Sequence, residues 1–134
     1  MFRKILLLGI LAGVGCSDDT PTSPSAALDG VWRIVSIQPT GLPSQPAPVS
    51  AQYQVGFENE RVFLRVDCNT CTGPFTSSGS TLLVGPTLAC TRAACETAAY
   101  ESAVVSMLSV AHEMSSTQHN LTLTSPRGTM LLQR

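Results

Sequence analysis

The sequence predicts a small α+β domain, rich in sheet and carrying one helix. Short alternations of apolar and polar residues, bounded by Gly, Pro, Asn or Asp, recur from Leu28 onward. Only the stretch Glu96 to Val110 repeats its apolar residues at helical spacing. The chain has 134 residues, and a folded region beginning near Leu28 leaves room for a single core.

The amino terminus is set apart from that region. Arg3 and Lys4 precede the apolar run Ile5 to Val14, which is too short to span a bilayer and has the form of a secretory signal segment, 1–15. Val14 and Gly15 ahead of Cys16 resemble the bacterial lipobox, although Gly13 stands where a larger aliphatic residue is usual. Cys16 is therefore expected to be the lipidated first residue of the mature chain. Residues 16–27 carry Ser, Thr, Pro and Asp with few apolar groups, a composition that serves as a tether. The expected boundaries are a signal segment at 1–15, a lipidated tether at 16–27 and one domain at 28–134. Ser17 resembles the outer-membrane sorting residue, so the expected location is the cell envelope, anchored to the outer membrane and facing the periplasm.

Within the domain, Asp29-Gly30 opens a strand in which Val31, Arg33, Val35 and Ile37 share one face and Trp32, Ile34 and Ser36 the other. Four prolines between Pro39 and Pro48 predict an exposed loop. Gln52 to Phe57 and Val62 to Val66 alternate across the Glu58-Asn59-Glu60 turn and read as a hairpin. Cys71 to Thr76 and Thr81 to Val84 suggest a second one, and Pro86 to Arg92 a further extended piece. The helix follows, with Ala99, Ala103, Val104, Met107, Leu108 and Ala111 on its apolar face and Glu96 in its first turn, where the dipole favours an anion. Glu113 to Thr117, Leu121 to Thr124 and Met130 to Gln133 close the domain as three strands. Trp32, Val104, Met107 and Leu108 are expected to share one core, with Trp32 a core residue rather than a stacking platform.

Charge excludes one class of function. The chain holds 8 Lys+Arg against 9 Asp+Glu, and without Arg3 and Lys4 only six arginines remain. A nucleic-acid binder needs a basic face that neutralises several phosphates, and none is visible.

The catalytic templates are also unmatched. After the leader there is no Gly-x-Ser-x-Gly elbow, no phosphate-binding glycine loop and no lysine. His112-Glu113 begins like a zinc-protease helix, but Ser116 stands where the second histidine belongs, so His112 and His119 are expected at the surface or at strand ends. Asn120-Leu121-Thr122 has the form of a glycosylation sequon, which a bacterial leader turns into an ordinary turn. Arg92 is expected to pair with Glu101. The expected protein is not an enzyme and uses no cofactor or metal.

Five cysteines leave one unpaired if four pair, and Cys16 is the isolated one. Cys68, Cys71, Cys90 and Cys95 admit three disulfide connectivities or a four-thiolate zinc site, and an oxidising envelope favours disulfides.

Several segments together resemble one family. Gly30-Val31-Trp32-Arg33, Cys68-Asn69 with Gly73 and Phe75, Gly79 with Leu82, and Thr91-Arg92-Ala93-Ala94-Cys95 before a helix carrying Glu101 are similar in order and spacing to the META domain, the family of HslJ-like bacterial lipoproteins. Cys71 replaces a usual aromatic residue and Cys90 a usual small one. The resemblance implies a barrel-like sheet with one packed helix. It implies pairing of Cys68 with Cys95, the family's two cysteine positions, and of the added Cys71 with Cys90 as a nested second bridge. Because Cys68 and Cys71 lie three residues apart, that pairing requires a bend or bulge near Asn69. For function it implies a non-enzymatic envelope protein, a monomer held to the membrane by its lipid, supporting envelope integrity or stress and antibiotic tolerance through contact with another envelope protein. The alternatives are an apolar-ligand or lipid binder of the pilot-lipoprotein kind, and an inhibitor of an envelope hydrolase.

Overall fold

A computed structural model describes Gly15 and residues 27–134; Cys16 and the rest of the leader and tether lie outside the described residues. The domain is an antiparallel sheet closed on itself, with a helix across one end. Its strands are β1 (Gly30–Pro39), β2 (Gln45–Pro46), β3 (Tyr53–Glu58), β4 (Arg61–Val66), β5 (Asn69–Ser78), β6 (Thr81–Val84), β7 (Ala89–Cys90), β8 (Ala111–Ser116), β9 (Asn120–Ser125) and β10 (Gly128–Gln133), and α1 spans Ala98–Leu108. Eight strands form the ring in the order β1, β3, β4, β5, β6, β8, β9, β10, and pairing of β10 with β1 closes it. Closure pairs the edges of the eight ring strands with one another and leaves the short β2 and β7 outside the ring.

Alternation builds the core. Tyr53, Val55 and Phe57 of β3, then Val62, Leu64 and Val66 of β4, are buried while their neighbours face out. Leu121 and Leu123, Met130 and Leu132 do the same on β9 and β10. An eight-stranded barrel is just wide enough for side chains to fill. Here Trp32 and Phe57 are the largest of the fully buried fillers.

β1 departs from simple alternation. Trp32, Ile34 and Ile37 all point inward, because the register with β10 shifts between Ile34 and Ser36. This bulge moves Ile37 to the core face, where strict alternation had placed Ser36. The proline-rich segment is likewise not all loop. Gln45–Pro46 pairs with Ser36–Ile37, at an outer edge where proline's missing donor is tolerated.

The helix begins later than its periodicity suggested. Thr97 is its N-cap residue, so Glu96 precedes the helix and Glu101 is the acid of the first turn. The buried face is Tyr100, Val104, Met107 and Leu108, and Val104, Met107 and Leu108 belong to the same cluster as Trp32. Ala99 is exposed, and Ala111 begins β8 on its outer face. Tyr100 packs edge-on against Tyr53 at 4.8 Å between ring centroids, which fixes the helix to the start of β3.

Strand directions give the barrel two unlike ends. Gly30 pairs with Phe57, so the chain enters β1 at the end bearing the β3–β4, β5–β6 and β8–β9 turns. Pro39 pairs with Gly128 and Tyr53 with Val66 at the other end, the one α1 covers. No described helix is long and apolar enough to cross a membrane.

Candidate functional site

The helix end carries a surface segment, 91–95, that is unusually well braced. Val66 pairs with Asn69, so Asp67 and Cys68 form the turn of a two-residue hairpin. Asp67 has a φ of 57°, and the bend expected near Asn69 falls there instead. Asn69 then starts β5 pointing inward and almost fully buried.

Buried amides are costly unless their hydrogen-bonding capacity is met. Asn69 meets it with this loop. Its Oδ1 accepts from the Ala93 amide at 2.8 Å and from Thr91 Oγ1 at 2.9 Å. Its Nδ2 donates to the Ala93 carbonyl at 3.0 Å and to Glu101 Oε1 at 2.8 Å. One side chain thereby locks the loop to β5 and orients a carboxylate on α1. Arg92 and Glu101 do not pair as expected, because Asn69 holds Glu101 and Arg92 makes no ion pair or hydrogen bond with any described residue.

Two disulfides reinforce the same segment. Cys68 bonds Cys95 and Cys71 bonds Cys90, so the four thiols are consumed in bridges rather than held on a metal. Cys71 and Cys90 are directly opposed in the short β5–β7 ladder. Among the described residues, no three His, Cys, Asp or Glu side chains converge as a metal site.

The helix start is tied down alongside. Asp67 Oδ2 accepts from the Thr97 amide at 2.8 Å and from Thr97 Oγ1 at 2.6 Å, the role an N-cap side chain usually plays. These bonds hold the Asp67 carboxyl below the usual carboxylate range. The Tyr53 hydroxyl joins Thr97 at 2.6 Å, and burial raises its pKa. Burial pushes Tyr100 up to about 12.

Between this loop and the outer face of α1 lies an open depression of about 540 Å³, lined by Leu88, Cys90, Thr91, Arg92 and Ala93 on one side and by Glu101, Ser102, Val105 and Ser106 on the other. Beneath the wall, Gly73 lets the β6–β7 connection pass close to β5. A Cβ at Gly73 would stand 2.6 Å from the Thr87 carbonyl oxygen.

His112 is the other functional candidate that the structure relocates. It lies at the start of β8, one of the two places expected for it, but is buried rather than exposed, since alternation points it inward beneath the helix C-terminus. Nε2 lies 3.4 Å from the Leu108 carbonyl, Nδ1 has no partner among the described residues, and burial lowers its pKa. Ser80, Glu113 and Ser125 line the same shallow depression as His112, and none of them hydrogen-bonds its ring. His119 lies exposed in the β8–β9 turn.

The fold and site thus define a class: a small, filled, disulfide-braced antiparallel barrel whose helix end carries an open polar depression. The META domain model matches residues 26–134, and the chain belongs to that family. No curated protein matches it. Among solved structures it is similar to an NMR structure of a protein from Burkholderia xenovorans, with a TM-score of 0.65 and 19% identity over 98% of this chain and 96% of that one. A second NMR structure gives a TM-score of 0.64 at 19% identity, over 83% of this chain and 93% of the other. At such identities the likeness concerns the fold.

Proposed function

We propose that this META-domain chain is a non-enzymatic envelope lipoprotein, tethered through Cys16 and acting by contact between its helix-end depression and another envelope protein. Its service in that reading is support of envelope integrity under stress. The observation that carries it is the placement of the braced segment. The chain enters the barrel at Gly30, and the 91–95 loop lies at the opposite end, so a lipid-held domain would present that loop away from its anchor.

The filled interior supports surface contact over the apolar-ligand alternative. Trp32, Ile34, Val55, Phe57 and Leu123 are fully buried in one core cluster, and the depressions beside the 91–95 loop and beside the β3–β4 turn open to the outside.

The test has two arms. Cys16→Ser should move the protein from the membrane to the soluble periplasmic fraction, and unchanged membrane association would remove the tether from the proposal. A photo-crosslinking residue at position 92 should give discrete protein adducts in cells, whereas one at position 59, in the β3–β4 turn, should not. Equal yields from both positions, or turnover of an envelope polymer by the purified protein, would overturn the contact reading.

A further inference from the structure

The depression beside the 91–95 loop has a free main-chain edge. In an antiparallel ladder successive residues alternate between bonding the partner strand and turning away from it. Thr91 donates to the Thr70 carbonyl at 3.0 Å, and Cys71 opposes Cys90 one residue earlier. The amide and carbonyl of Cys90 therefore point away from β5. Cys90 lines the depression, and its amide and carbonyl have no partner among the described residues.

Two charged side chains line the depression near this edge. Glu101 is half-buried, with Oε1 held by Asn69 and Oε2 left without a partner among the described residues. Arg92 is exposed on the opposite wall, two residues beyond Cys90. Val105, one turn beyond Glu101 on the helix wall, adds an apolar patch. An exposed strand edge with a nearby carboxylate suits an extended peptide whose main chain pairs with the edge while a basic side chain reaches the acid.

We propose that the depression between β7 and α1 binds an extended peptide segment with a single basic side chain, its main chain pairing with Cys90 and its ammonium or guanidinium resting on Glu101. Arg92 repels a second basic residue on the opposite wall, so a singly basic peptide is preferred to a polybasic one. The Asn69 hydrogen bonds and the two disulfides hold edge and carboxylate in place before the peptide arrives, which limits the ordering cost of binding. β7 is only two residues long, so the pairing is short and the complex is weak and rapidly exchanging. The inference rests on the contact reading above and names the partner's chemistry at the same site.

The experiment uses the full chain in mild detergent with both disulfides intact, panned against random heptapeptides displayed on phage. Enriched peptides should carry one Lys or Arg, and their amide-shift perturbations should centre on Cys90, Thr91, Glu101 and Ser102. Methylating the backbone nitrogens one at a time should weaken binding at least tenfold at one position. Glu101→Gln, which keeps an acceptor for Asn69, should abolish the preference for lysine over norleucine at an unchanged melting temperature. Absence of enriched peptides, perturbations centred elsewhere, or indifference to both N-methylation and Glu101→Gln would overturn the proposal. If peptides fail while position 92 still crosslinks to protein in cells, the peptide mode falls and the contact reading stands; if both fail, both fall.

Discussion

The two ends of this barrel are closed in different ways. At the end where the chain enters β1, the closing groups are Leu28, just before β1, and Arg134, just after β10. Leu28 is fully buried, its carbonyl accepts from Trp32 Nε1 at 2.8 Å, and the Arg134 guanidinium lies 4.2 Å from the centroid of the same ring. Arg134 also donates to the carbonyls of Asp29 and Gln118. At the helix end, closure is by α1, by Asn69 and Asp67, and by two covalent bridges. The first end uses its polar side chains to satisfy its own backbone. The second holds a loop rigid while Arg92 has no partner among the described residues, and that difference is why the contact is proposed there.

Changes at Trp32 should do the most damage, because the ring serves both the core and the first end. Trp32→Ala should cost about 3–5 kcal/mol, the usual range for removing a large buried aromatic. Denaturant unfolding measures it, and a loss below about 1 kcal/mol would show that the amino-terminal end is not coupled to the core. Leu108→Ala probes the opposite end from within the core and should cost about 2–5 kcal/mol.

Removing the outer bridge sharpens the contrast. Cys68→Ser with Cys95→Ser should lower stability by roughly 3–4 kcal/mol in the chain-entropy model. Loss of the nested Cys71–Cys90 bridge should cost less, since its segment is already confined by the outer one. Hydrogen exchange should accelerate in 91–95 before it does around Leu28; uniform acceleration would mean that the ends are not independent.

Asn69→Ala should cost about 1–3 kcal/mol, the penalty for stranding buried partners of a lost side chain. Its signature is faster exchange of the Ala93 amide with little change near Trp32.

The smallest effect is set by pH at the helix start. Because hydrogen bonds from Thr97 hold Asp67 below its ordinary value of 3.8, its contribution to stability is complete above that pH and disappears as pH falls through the lower folded value. Melting temperatures of the native chain and Asp67→Asn should therefore differ at neutral pH and converge in stronger acid. A constant gap would assign the stabilisation to shape rather than charge.

Much of this architecture was legible from side-chain alternation and turn residues. β3, β4, β9 and β10 lie where period-two patterns placed them, because burial on one face demands that period. The helix was visible, yet its start was misplaced at Glu96 and Tyr100 was missed. Its N-cap partner, Asp67, is thirty residues away in sequence, and no local pattern reports so distant a hydrogen bond. Family resemblance supplied the disulfide pairing, whereas spacing alone left three connectivities open.

By itself, then, the sequence determined the strand-rich composition, the helix that follows β7, the exposed or buried side of most strand residues and the absence of familiar catalytic motifs, all of which depend on near neighbours along the chain. Tertiary structure alone decided closure of β1 on β10, the bulge that turns Ile37 inward, the burial of His112 and the capture of Glu101 by Asn69 in place of Arg92. Each of these depends on which distant groups meet in space. A buried amide takes whatever partner the closed barrel brings within about 3 Å, and that choice is made only once the chain has folded.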